Sequence, residues 1–153
     1  MQSPTDPVTR LLGWGAVACW LISWFLPVVE GYPGWAAFYT ALTGPFRPDF
    51  PVRGDDSVPQ LLSALTNGVF FIQVVQWLRG QMPRPSMFLK ISIACLVCNL
   101  YWLVAMLRAG ERSALLAGYY LWLAAFALLV AAGVIRAVSA RRTSRTPTGG
   151  TPA

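Results

Sequence analysis

Two groups of side chains in this 153-residue sequence have the types and spacing to do chemistry. The first is Cys95-Leu96-Val97-Cys98, a pair of thiols three positions apart. On a helix such a pair shares a face, and it can cycle between dithiol and disulfide where a thiolate is reachable. Electron exchange with a partner would need a second pair, and the third cysteine, Cys19, stands alone. Small apolar packing residues are therefore the plainer reading of both thiols. The second group is a set of carboxamides, Asn67, Gln73, Gln76 and Asn99, placed inside otherwise apolar stretches.

Thr66, Val69, Gln73 and Gln76 recur at spacings of three and four, as do Ser92, Cys95, Asn99, Trp102 and Met106. Each set forms one helical stripe. An amide in hydrocarbon is costly unless paired, so Gln73 and Asn99 are expected to face each other or the interior of a helical assembly. Residues of this kind either tie helices together or line a site for a ligand or solute.

Much other chemistry is disfavoured. The sequence has no histidine, which removes bis-histidine haem, most zinc sites and the commonest general base. No Asp, Glu or Arg falls near the centre of an apolar run, which argues against ion pumps, voltage sensors and proton-coupled exporters. Glu30, Asp49, Asp55 and Asp56 share one connection and read as solvated. Neither a Gly-x-x-x-x-Gly-Lys phosphate loop nor a Gly-x-Ser-x-Gly nucleophile elbow is present. No catalytic residue, cofactor or metal ligand is expected.

The elements that must position these groups follow from where charge is missing. Charged residues make up 12% of the chain, against about 25% in soluble domains, and mean hydropathy is +0.52. Charge-free runs cover Leu11–Val29, Ser57–Leu78, Ile91–Leu107 and Ser113–Ile135. At about 1.5 Å per helical residue, each run can cross a hydrocarbon core roughly 30 Å thick. The fold expected is all-α, an integral membrane four-helix bundle with spans at about 11–29, 61–78, 88–107 and 113–138. Residues 1–10 read as a cytoplasmic N-terminal segment and 139–153 as a flexible tail.

Prolines 33, 45, 48, 51 and 59 interrupt the one long connection, and within it residues 34–43 have helical composition but are too short to span. An interfacial helix in the first exported loop, or a re-entrant one, is expected there. The link Arg108-Ala109-Gly110-Glu111-Arg112 is short enough to make the third and fourth spans neighbours. Basic residues divide eight to four in favour of the side carrying both termini. By the positive-inside rule both termini are expected in the cytoplasm. The formal charge of +6 reflects this orientation rather than nucleic-acid binding.

Residues 21–27 (Leu-Ile-Ser-Trp-Phe-Leu-Pro), residues 32–38 (Tyr-Pro-Gly-Trp-Ala-Ala-Phe), Asn67 and residues 118–122 (Gly-Tyr-Tyr-Leu-Trp) carry a resemblance. The chain resembles small, uncharacterised bacterial four-span inner-membrane proteins. That resemblance implies a Pro-Gly-Trp element after the first span and no activity.

Small residues recur four apart, as in Gly15 with Cys19 and Ala114 with Gly118, and such faces let helices approach closely. The function expected first is thus a non-catalytic accessory or assembly subunit, in contact with the lipid bilayer and with another membrane protein or a second copy. The alternative is a small-solute or lipid-binding transporter. It would hold Asn67, Gln73, Gln76 and Asn99 around a polar cleft between the second and third spans, with the 34–43 helix as its lid. A membrane thiol–quinone redox protein is the third.

Overall fold

The computed structural model describes residues 7–29, 31–46, 57–79, 81, 84–110 and 114–143. Among them are five α-helices: α1 (Pro7–Ser23), α2 (Gly34–Thr43), α3 (Ser57–Leu78), α4 (Pro85–Ala109) and α5 (Ala117–Thr143). A short ladder pairs β1 (Pro27–Val29) with β2 (Tyr32–Pro33). Three helices, over Val58–Leu78, Pro85–Ala109 and Ala117–Arg142, are long and apolar enough to cross a membrane. The 17 residues of α1 reach about 25 Å.

Prolines set several of these boundaries. Pro7 opens α1, where its missing N–H would have had no helical partner, so residues 7–10 are helical instead of belonging to an unstructured segment. The first helix stops at Ser23 and not at residue 29. The Pro27 ring clashes with the carbonyl four residues back, which is that of Ser23, and Leu26 before it is pushed toward extended backbone. The released chain forms β1, whose pairing with β2 is antiparallel, Pro27 opposite Pro33 and Val29 opposite Tyr32. This small ladder departs from the all-helical expectation.

Helix α2 occupies the expected residues, and α4 starts at Pro85, three residues before the expected span. Helix α5 starts at Ala117 rather than residue 113, because the preceding residues bond elsewhere. Leu115 bridges Val29, and the Leu116 N–H donates to the Val28 carbonyl at 2.9 Å. At its other end α5 runs to Thr143, so the first residues expected in the tail are helical. Residues 1–6, the acidic residues Glu30, Asp49, Asp55 and Asp56, and residues 144–153 lie outside the described residues.

Contacts between named residues fix the direction of each helix. Trp14 meets Trp77 and Trp20 meets Phe70, so α1 runs antiparallel to α3. Ser63 reaches Asn99 and Gln73 reaches Ser92, so α3 runs antiparallel to α4. Tyr119 reaches Asn99, and Gly133 approaches Phe88, which sets α4 antiparallel to α5. Ala16, Phe70, Phe88, Cys95, Ala125, Phe126 and Leu129 make the core. Within it Trp20 stacks on Phe70, whose edge contact with Phe126 continues to Trp122.

Polar side chains are buried beside this apolar core while large apolar ones face outward. Asn99 and Ser92 are fully buried, while Leu11 and Phe25 are 73% and 80% exposed. Apolar outer faces with polar groups paired inside are what hydrocarbon surroundings require.

At one end of the molecule α2 is fixed across the end of α1. The Gly34 N–H donates to Leu26 O at 3.0 Å and the Trp35 N–H to Trp24 O at 3.1 Å, so α2's first free amides take carbonyls of the residues that follow α1. Both approaches at this joint depend on a missing side chain. A Cβ on Gly34 would collide with the Ser23 carbonyl, and one on Gly118 would lie 2.7 Å from the Pro27 oxygen.

Candidate functional site

The inward stripe of α3 contains Ser63, Thr66, Asn67, Phe70 and Gln73, all buried, at the three- and four-residue spacing of one helix face. Asn67 is the centre of the site. Its side-chain carbonyl accepts the indole N–H of Trp20 from α1 and of Trp122 from α5, each at 2.9 Å. One oxygen thus joins three helices. Its amide nitrogen makes a long bond of 3.4 Å to the Ala64 carbonyl one turn back.

Asn99 brings α4 into the same polar layer. Ser63 Oγ donates to Asn99 Oδ1 at 2.9 Å. The Thr66 hydroxyl hydrogen goes to the Ser63 carbonyl at 2.6 Å, leaving Thr66 Oγ1 to accept from Asn99 Nδ2 at 3.2 Å. The Tyr119 hydroxyl donates to the Asn99 backbone carbonyl at 2.7 Å and accepts the Leu103 N–H at 3.1 Å. Those two backbone groups are four residues apart, the pair that an α-helix joins directly. Tyr119 therefore locks α5 into the hydrogen-bond ladder of α4.

Above this layer, beneath α2, lies a partly open cavity of about 330 Å³. Asn67, Trp102 and Trp122 line it. Ala37, Phe38 and Ala41 of α2 cover one side, and Val28, Val29 and Leu115 close another. Its walls are mostly apolar, and among the described residues no Asp, Glu, Lys or Arg lines it. That combination, an apolar cavity with a few fixed polar groups, is the usual make-up of a small-molecule site. The volume is about twice that of a cavity of roughly 150 Å³ able to hold benzene.

The four sequence-identified carboxamides are not brought together. Asn67 lines the cavity; Asn99 is buried behind Ser63 in the layer beneath it. Gln73 and Asn99 both face the interior but do not face each other, since Gln73 Nε2 donates to Ser92 Oγ at 3.3 Å. Gln73 Oε1 is buried with no hydrogen-bond partner among the described residues, beside a second void of about 10 Å³. Gln76 is half-buried one turn further from the cavity. The space between α3 and α4 alone is thus a packed contact, and the cavity is shared with α2, β1 and α5.

Trp102 and Met106, on the α4 stripe, also line the cavity. The sequence reading did not join Trp20 and Trp122 to Asn67. The missing step was available: a buried indole N–H needs an acceptor, and few side-chain acceptors exist in the spans. Cys95 and Cys98 are free thiols that line neither cavity, with Cys95 in the core. No protein-family model, curated protein or solved structure matches the chain.

Proposed function

We propose that this chain is a multi-pass inner-membrane protein that binds a small apolar molecule in the cavity beneath α2. The observation that carries the reading is the cavity itself, with its largely apolar walls, the hydrogen-bonded Asn67 and a covering helix. A largely apolar space of this size gains free energy when an apolar molecule takes the place of water in it. The sequence alternative of a solute- or lipid-binding protein gains support from this geometry, with α2 in the covering position.

In this proposal α1 is a fourth span. Its packing on α3 and α5 and the burial of Ala16 in the shared core support that role. The orientation proposed places the cavity on the exported side. Among the described residues Arg10, Arg79, Arg84, Lys90, Arg136, Arg141 and Arg142 gather at the opposite end, and Arg108 is at the cavity end.

The accessory-subunit expectation drew on small-residue faces. Gly118 meets β1, a Cβ on Gly15 would be in contact with Leu128, and Cys19 packs on the core, so these faces are used within the molecule. Ligand binding is the better-supported reading on that ground.

Organic extraction of the protein purified in native-lipid discs tests the proposal. A small apolar compound should be enriched with the wild type and depleted with Ala41→Trp, which places a large ring in the cavity. Equal recovery of every compound from both would overturn it.

A further inference from the structure

We infer that the cavity selects neutral ligands of about two fused rings that carry an acceptor oxygen, a carbonyl or a hydroxyl, taken by the amide N–H of Asn67. This deepens the proposed binding function and rests on it. An indole nitrogen donates and cannot accept. Two of them, at 2.9 Å, face the same Asn67 atom, so that atom is the carbonyl oxygen; turning the amide over would set N–H against N–H. The orientation of Asn67 is therefore dictated by α1 and α5.

Its Nδ2 then carries two hydrogens. One makes the 3.4 Å contact with Ala64 O, and the other has no partner among the described residues. The side chain is 7% exposed and lines the cavity, so that hydrogen is available to whatever occupies it. The Ser23, Ser63 and Tyr119 hydroxyls do not compete as donors, because their hydrogens go to Trp20 O, Asn99 Oδ1 and Asn99 O. Asn67 thus offers a donor to the ligand, and an oxygen acceptor complements it. A ligand without one leaves the Asn67 N–H unpaired.

Charge on the ligand is disfavoured for a separate reason. Among the described residues no Asp, Glu, Lys or Arg lines the cavity, and a carboxylate or ammonium moved there would lose its hydration with no opposite charge from them in return. The bulk follows from the 330 Å³ of space.

Equilibrium dialysis of the full chain in nanodiscs, with empty discs subtracted, against naphthalene, 2-acetylnaphthalene and 2-naphthoate tests this directly. The ketone should bind about tenfold more tightly than naphthalene, with naphthoate weakest. Asn67→Asp, read at alkaline pH where its carboxyl is ionised, keeps oxygen acceptors for both indoles and carries no donor hydrogen, and it should abolish the ketone's advantage. Ala41→Trp leaves Asn67 untouched and should remove binding of both neutral probes. Equal binding of naphthalene and the ketone by the wild type would overturn the acceptor requirement while leaving the cavity a binding site. Tightest binding of naphthoate would overturn the neutrality. Failure of the wild type to bind any of the three would overturn both this inference and the function it rests on.

Discussion

Asn67 holds two indoles with one oxygen, and Gln73, two turns away on the same face, leaves its oxygen unpaired. The two carboxamides should respond oppositely to apolar replacement. Asn67→Leu strands two part-buried indole N–H groups at about 1–3 kcal/mol each, so a loss of about 2–6 kcal/mol is expected in reversible denaturation from bilayers or micelles. Gln73→Met removes an orphaned acceptor together with one long bond, and Ser92 keeps its bond to Phe88 O. Its stability should lie within about 1 kcal/mol of wild type. A Gln73→Met loss as large as that of Asn67→Leu would contradict this assignment. The inward direction of these residues was legible in the sequence because polar groups in apolar runs have nowhere else to go. Their partners were not. Ser63 and Gln73 are ten residues apart on α3, about 15 Å along the axis, and the α3–α4 register that matches them to Asn99 and Ser92 depends on a turn whose geometry spacing alone does not give.

Among the elements, α2 was the most legible, since Pro33-Gly34 and Gly44-Pro45 bracket a short run of helix-forming residues. The ladder before it was not legible, because Val28-Val29 continues the apolar composition of α1 and only the clash of Pro27 with the Ser23 carbonyl diverts it. Backbone contact at Gly34 holds α2 over the cavity. Gly34→Ala should therefore cost about 1–3 kcal/mol and weaken probe binding. Gly68→Ala, at an exposed position on α3 where a Cβ meets nothing, should leave binding unchanged and add up to about 1 kcal/mol of stability. Thermal unfolding of the pair checks the contrast; an equal effect at both positions would mean that α2 is not held through this joint.

For the whole molecule, the apolar exterior with polar groups paired inside was foreshadowed by the scarcity of charge, and three of the expected spans are helices of sufficient length. The cavity was invisible in the sequence, because it is made by seven elements meeting at one end and no single run of residues encodes it. A reporter active only in the cytoplasm, fused after residue 153, should be active, and one active only after export should be silent. The reverse pattern would invert the proposed orientation and place the cavity on the cytoplasmic side.

The central claim, that the cavity beneath α2 is a ligand site, is tested most directly by the indole N–H resonances of the seven tryptophans in a ¹⁵N-correlation spectrum. Titration with 2-acetylnaphthalene should shift the signals of Trp24, Trp102 and Trp122, which line the cavity, and leave Trp14 and Trp77, paired at the opposite end, in place. Shifts confined to Trp14 and Trp77, or a uniform drift of all seven, would contradict it.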